Sequence, residues 1–263
     1  MRLDRMLVSR GLVSSRQRAK ELIGQGQILV DGQLSRKPSM DISSESKIEV
    51  VGTALPYPSR AGLKLEKALR VFEIQVAGRV ALDVGASTGG FTSCLLQAGA
   101  EFVIAVDVGQ DQLVEELRFH QRVMVLEKTN IRDLTPSQLP YPADLATVDV
   151  SFISLTKVFP SVRALLAPAG QVVALIKPQF ETEGVGLNKH GVIQDQRVHL
   201  TYLPPLVDQL QGENFGLLGF DYSPISGAKG NIEYLAHFGL GSRPRDATDL
   251  VSRVIRDSWR QAP

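Results

Sequence analysis

Two hydrophobic rhythms divide the chain. From residue 79 onward, aliphatic runs recur at short intervals: "RVALDVG", "FVIAVDVG", "RVMVLEKT", "LATVDVSF", "QVVALIKP" and "FGLLGFDYSP". Helix-like segments separate them, among them 90–98, 111–119, 156–167 and 196–211. Strands that are aliphatic at successive positions are buried on both faces. The pattern therefore predicts an α/β domain, a mainly parallel sheet with helices on both faces. The last pair of runs, around 215–224 and 233–240, reads as an antiparallel hairpin at the sheet end. Ahead of the sheet, Ser59 is positioned to cap a helix over "RAGLKLEKALRVF". Its Ala61, Leu65, Ala68, Leu69 and Phe72 form one apolar stripe, with Lys64 at the edge.

Residues 1–51 follow a shorter rhythm. The spacing predicts a helix near 2–9 and a second near 14–24, opened by Ser14 and Ser15 and ended by Gly24 and Gly26. "QILVDGQLS" and "SKIEVVG" follow, and Asp31-Gly32 between apolar stretches is a hairpin signal. This makes 1–51 a small α+β module. "GTALPYPSR", 52–60, reads as a linker, and 61–263 as the larger domain.

Charge changes the picture only locally. The 263 residues carry a net charge of +1, with 43% hydrophobic and 22% charged residues, ordinary for a globular protein. Residues 1–20, however, hold Arg2, Arg5, Arg10, Arg16, Arg18 and Lys20 against Asp4 alone, a local excess of +5. A basic module on a neutral body fits a polyanion-binding attachment; a solvated helical face is the plainer alternative. A single cysteine, Cys94, excludes a disulfide framework, disfavours a Cys-ligated metal and suits a reducing compartment. No signal peptide or membrane-length apolar run is visible, so the reading is cytoplasmic, with no metal and no membrane partner.

The candidate chemistry lies at the strand ends. "LDVGASTGG" is a first βα turn, where strand C-termini and a helix N-terminus converge on a ligand. It carries Asp83, Gly85, Ser87, Gly89, Gly90 and then Phe91. The full dinucleotide spacing is absent, as is the Lys-Ser/Thr ending of a phosphate loop. Asp107 closes the next strand, twenty-two residues after Gly85, where a carboxylate can hold ribose hydroxyls. An acid at the loop entrance suits the amine and sulfonium of S-adenosylmethionine better than the pyrophosphate of NAD. A glycine-packed turn without a ligand is the alternative. The sequence lacks an Asn/Asp-Pro-Pro-aromatic motif for amino-nitrogen methylation, and Cys94 lies on an apolar helix rather than at a base-methylating position. Asp149 ends one buried strand and Lys177 the next, with Lys64 nearby. Such a pair suits activation of a hydroxyl, although a salt bridge at a strand rim would look the same.

"SRAGLKLEKAL", "DVGASTGGFTSCLLQAGA", "VDVSFISL", "LIKPQFE" and "GNIEYL", in this order, resemble the hemolysin A (TlyA) family of ribosomal RNA methyltransferases, relatives of the FtsJ-type 2′-O-methyltransferases. The resemblance runs over nearly the whole chain. Its N-terminal module is similar to the RNA-binding domain first seen in ribosomal protein S-four. It implies a Rossmann-like methyltransferase domain that uses S-adenosylmethionine, with ribosomal RNA or ribosomal subunits as partner. The acceptor it implies is a cytidine 2′-hydroxyl, with a lean to 23S RNA and 16S left open. The FtsJ tetrad falls on Lys64, Asp149, Lys177 and Glu233. Lys177 would polarise or deprotonate the hydroxyl, Asp149 would orient Lys177 and meet the cofactor, and Lys64 and Glu233 would position the ribose. Asn130 in "KTNIRDL" is expected to read the adenine, with Asp133 a rival. Arg5, Arg10, Arg16, Arg18, Lys20, Arg36 and Lys37 are the expected phosphate contacts. The stretch 181–197 reads as a lid, an RNA-contacting loop or a solvent loop. An inactive RNA-binding protein, a cytolysin and an NAD-dependent oxidoreductase are the rival functions.

Overall fold

The computed structural model describes residues 1–13, 15–24, 26–35, 37–50, 56–227 and 229–261. The chain divides into two compact units, Met1–Ser59 and Arg60–Pro263. The expected linker, 52–60, lies partly outside the described residues.

The first unit holds helices α1 (Leu3–Ser9) and α2 (Arg16–Gly24) and strands β1 (Ile28–Val30), β2 (Gln33–Leu34) and β3 (Ile48–Val50). The strands form an antiparallel sheet in the order β2-β1-β3. Leu3, Leu7, Ala19, Ile23 and Ile28 are fully buried in its core. The hairpin turns at Asp31 (φ 50°) and Gly32 (φ 79°), the pair of positive angles that Asp-Gly makes cheap. Ser15 Oγ accepts the Arg18 N–H at 3.1 Å and so starts α2, whereas Ser14 lies outside the described residues. The first turn of α1 carries a buried carboxylate, Asp4. Arg2 donates to it at 3.0 Å and Arg16 at 3.1 Å. The hydrogen bonds from Arg2, above all, hold its carboxyl well below the usual range.

The second unit alternates helix and strand: α3 (Ala61–Val71), β4 (Val80–Val84), α4 (Gly90–Gln97), β5 (Phe102–Val106), α5 (Glu115–Arg118), β6 (Val123–Leu126), β7 (Ala143–Val148), α6 (Phe159–Leu165), β8 (Leu166–Ile176), α7 (Pro178–Glu181), α8 (Gln196–Gln211), β9 (Phe215–Tyr222), β10 (Tyr234–Leu240) and α9 (Thr248–Gln261). One seven-stranded sheet runs β6-β5-β4-β7-β8-β10-β9. Strands β4 to β8 pair in parallel, while β10 lies antiparallel to both neighbours, β8 and β9. The chain builds outward from β4 to β6, then returns to lay β7 on the other side of β4. Such a reversal opens a crevice at the strand C-termini between β4 and β7.

Most expected elements form, and the departures have local causes. The 111–119 helix shrinks to Glu115–Arg118 because the Asp111, Gln112 and Leu113 N–H groups donate to the Glu127 carboxylate instead of to a helix. The 156–167 helix starts late, at Phe159, because Ser154 caps a 3₁₀ turn over Leu155–Lys157 first. Helix α3 has Arg60 rather than Ser59 at its N-cap. Helix α9 is absent from the expected set, although Val251, Ile255 and Ser258 lie buried at i, i+4 and i+7. It anchors β10: the Tyr234 hydroxyl lies 2.7 Å from His199 Nδ1 on α8 and 3.3 Å from Ser258 Oγ on α9.

Asp4→Asn should weaken the first unit by about 1–3 kcal/mol, since two guanidinium groups lose a buried charged partner. Amide hydrogen exchange of the full chain checks this: α1 and α2 should exchange faster and residues 60–261 should not change.

Candidate functional site

The crevice at the ends of β4, β5 and β7 is a cleft of about 490 Å³. Gly85 makes it possible. Its φ is +88°, and a Cβ there would collide with the carbonyl oxygen of Asp149 on the neighbouring strand end. Only glycine allows the two strand ends to approach so closely. The loop then passes Ser87 (φ 47°) and Gly89 (φ 95°) into α4. Asp107, closing β5, pins this loop: its Oδ2 accepts the Ser87 N–H at 2.8 Å and its Oδ1 the Gly109 N–H at 2.7 Å. Gly85, Ser87, Asp107, Asn130, Asp149 and Ser151 line the cleft, with Val106, Val108 and Ile131 as aliphatic wall. Asn130 keeps its Oδ1 on the Arg132 N–H at 3.1 Å.

Four expected cofactor residues stand elsewhere. Asp83, Gly89, Gly90 and Phe91 are absent from the cleft lining. Asp83 is fully buried beneath it, taking the Thr92 hydroxyl at 2.6 Å and the Thr147 hydroxyl at 3.0 Å. With both oxygens committed inside the fold, it supports the turn from below and presents no surface to a ligand. Burial, above all, pushes its carboxyl up to about 7, with the nearby Asp149 adding to the effect. Phe91 and Gly90 are buried in the first turn of α4.

The four tetrad positions gather at one rim of the sheet as two ion pairs. Asp149 follows β7 and Lys177 follows β8, which are parallel neighbours. Lys177 Nζ lies 2.6 Å from Asp149 Oδ1, off the axis of a hydrogen bond, and donates to Ser151 Oγ at 3.0 Å. Lys64, buried on α3, meets Glu233 Oε2 at 2.5 Å. The antiparallel register sets Tyr234 opposite Ile176, so one step further brings Glu233 beside Lys177 on adjoining strands. Ser151 is absent from the residues expected from sequence. The signal for it is only its place two residues after Asp149 in "VDVSF". Glu181 is a second omission. It accepts the Ser154 hydroxyl at 2.6 Å and the Leu155 N–H at 3.0 Å, which ties the segment after β8 to the loop after β7. Burial pushes its carboxyl up.

In the first unit the expected phosphate contacts sort by commitment. Arg16 is spent partly on Asp4. Arg18 is buried and paired with Glu21 at 3.4 Å, a correction to its expected role, because a guanidinium inside the fold presents no phosphate-binding face. Arg10 donates to the Ser46 carbonyl at 2.7 Å. Arg5, Lys20 and Lys37 are exposed, and Arg36 lies outside the described residues. Among the described residues, no cluster of His, Cys, Asp or Glu could hold a metal, and no helix is long and apolar enough to cross a membrane.

Asp83 makes stability depend on pH in one direction. Its folded value of about 7 stands above the ordinary 3.8, so the folded state holds the proton more tightly. Its contribution is complete below pH 3.8 and is lost as pH rises through about 7. Asp83→Asn should therefore gain about 1–4 kcal/mol on wild type between pH 5 and pH 8, read as a difference in urea midpoints.

Comparison with known proteins follows the same division. Residues 57–240 match the FtsJ-like methyltransferase family and residues 1–48 the S4 domain. The chain is 42% identical over 262 residues to the 16S/23S rRNA (cytidine-2′-O)-methyltransferase TlyA of Mycobacterium tuberculosis, covering 99% of this chain and 96% of that one. It is 42% identical over 240 residues to Hemolysin A of Brachyspira hyodysenteriae, covering 90% of this chain and 99% of that one. A solved structure from Streptococcus thermophilus, described as a candidate hemolysin, superposes with a TM-score of 0.81 at 38% identity, over 99% of this chain and 96% of that one. With its crevice at the β4–β7 reversal, its paired strand-end charges and these matches, the chain belongs to the FtsJ-like methyltransferase family and carries an S4 domain at its N-terminus.

Proposed function

We propose that the protein methylates the 2′-hydroxyl of a cytidine in ribosomal RNA, in the cytoplasm, with S-adenosylmethionine as methyl donor. The observation that carries this reading is the double ion pair, Lys177–Asp149 and Lys64–Glu233, at the rim beside a nucleoside-sized cleft. The M. tuberculosis relative is named for the same acceptor, in 16S and 23S RNA. Here 23S RNA is the favoured substrate, with 16S RNA as the second candidate.

The residues present fit the cofactor. Gly85 lets a ligand lie against backbone, Asp107 offers a carboxylate to ribose hydroxyls, and Val106, Val108 and Ile131 offer an apolar wall to a base. Asn130, which lines the cleft, is the residue we assign to the adenine edge, and Asp149 faces both cleft and Lys177. Asp83, Gly89, Gly90 and Phe91 serve the cofactor indirectly, by shaping the turn that Gly85 and Ser87 present. S-adenosylmethionine bound there supplies an electrophilic methyl group on sulfonium.

A hydroxyl attacks carbon well only as its proton is released or drawn away. Lys177 is the group that polarises the hydroxyl or takes that proton. Asp149 and Ser151 hold its amine from two sides, so its direction is set before the substrate arrives. Lys64 and Glu233 position the ribose. Much of the acceleration would come from these residues holding the acceptor hydroxyl and the methyl donor in fixed alignment. Arg5, Lys20 and Lys37 are the S4-domain groups free to contact phosphates, with Arg10 and Arg16 contributing the donors they do not spend internally. Such contacts fix the position of the RNA, while the flipped nucleotide is chosen by shape.

Labelled methyl transfer to undermethylated ribosomal subunits is the direct test, with the product mapped by nuclease digestion. Wild type should label a cytidine ribose, and Lys177→Ala should lose about 10²–10⁴ in kcat with cofactor affinity retained. Label on a base would overturn the tetrad chemistry, and no label with the cofactor bound would favour an RNA-binding role. Asp107→Ala should weaken cofactor binding by about 2–3 kcal/mol in calorimetry, since ribose contact and loop pin go together.

A further inference from the structure

Glu233 enters β10 from a segment, residues 223–227 and 229–232, that is organised around it. The Ser223 N–H donates to the Glu233 carbonyl at 2.8 Å, and the Gly227 N–H to the Asn231 carbonyl at 2.9 Å. Gly227 faces the carboxylate itself: a Cβ there would collide with Oε1 of Glu233. Gly227 is not among the glycines with positive φ, so what it supplies is room rather than an unusual backbone angle. Asn231, only 4% exposed, spends both ends of its amide on another loop. Its Oδ1 accepts the Ile193 N–H at 3.0 Å and its Nδ2 donates to the Gly191 carbonyl at 2.9 Å. That loop leaves α7, which directly follows Lys177. Thr182 and Asn188 fold it onto itself through the Val185 carbonyl and the His190 and Val192 N–H groups. The segment departing from one ion pair is thus clasped to the stretch that carries the other.

We propose that Gly227 and Asn231 are positioning residues for the Lys64–Glu233 pair. Gly227 leaves the space that Oε1 fills, which turns Oε2 toward Lys64. Asn231 fixes the chain just before Glu233 to the backbone of 191–193, so the carboxylate and the loop after Lys177 hold one arrangement. Neither residue touches the reacting atoms. The inference rests on Glu233 belonging to the reaction site.

The experiment compares kcat, KM and cofactor affinity of Gly227→Ala, Asn231→Ala, Glu233→Gln, Glu233→Asp and the double variant Gly227→Ala/Glu233→Asp in the full chain. Gly227→Ala is expected to lower kcat about 10- to 100-fold, with cofactor affinity and both KM values unchanged. Aspartate withdraws the carboxylate by one methylene and makes room for the new methyl, so the double variant should lose less kcat than the product of the two single losses. Asn231→Ala should lower kcat and speed hydrogen exchange over 182–195. It carries the test if Gly227→Ala does not fold. Full kcat in Gly227→Ala and Asn231→Ala with Glu233→Gln impaired overturns this inference and leaves the reaction reading standing. Strictly multiplicative losses, or equal losses in cofactor affinity, also overturn it. Full kcat in Glu233→Gln overturns this inference together with the role given to Glu233 in positioning the ribose.

Discussion

The missing side chain at Gly85 is the constraint on which the rest of the site depends. Its α-carbon packs against the Asp149 carbonyl, in space where a Cβ would collide. That contact closes the ends of β4 and β7 together where the strand order reverses. It fixes the floor of the cleft, and it aims Asp149 at Lys177 on the next strand. Asp107 secures the opposite wall by taking the Ser87 and Gly109 N–H groups. A binding surface made of backbone in this way needs little side-chain ordering when a ligand arrives, so less entropy opposes binding.

Electrostatics at the rim is arranged by depth. Asp83 lies deepest, and burial with the Asp149 charge nearby favours its protonated form toward neutral pH. Nearer the surface, each lysine has a carboxylate partner, because an unpaired charge at such depth would cost several kcal/mol. Pairs of this kind add little net stability over apolar residues. Their value is directional: each holds an amine at a set position over the ends of β7, β8 and β10. The supports are themselves ordinary folding contacts, such as Ser151, Glu181 and the His199–Tyr234–Ser258 chain that anchors β10.

The first unit shows how a charge count differs from an available surface. Residues 1–20 carry six basic side chains, and partner choice separates them. Arg2 and Arg16 clasp Asp4, and Arg18 turns inward to Glu21. Arg5 and Lys20 remain exposed on α1 and α2. The same clasp that spends two arginines joins the two helices, because Asp4 lies on α1 and Arg16 on α2.

What the sequence by itself determined was whatever depends on local pattern. Aliphatic runs specified the strands, because burial on both faces needs apolar residues at every position. Asp31-Gly32 specified the hairpin, because positive φ at two successive residues suits few pairs. Asp149 and Lys177 were legible because each ends a buried strand, and Lys64 because it edges an apolar helical stripe, whereas Glu233 entered only through the resemblance of the sequence to its family. Tertiary structure decided everything that depends on partners distant in the chain. It shortened α5, because Glu127 took its N–H groups. It set Asp83 under the cleft, because Thr92 and Thr147 converge there from two other elements. It joined Lys64 to Glu233 across 169 residues, and it gave Gly227 and Asn231 their contacts. Periodicity reports which face of an element is buried, but only the fold reports what that face meets.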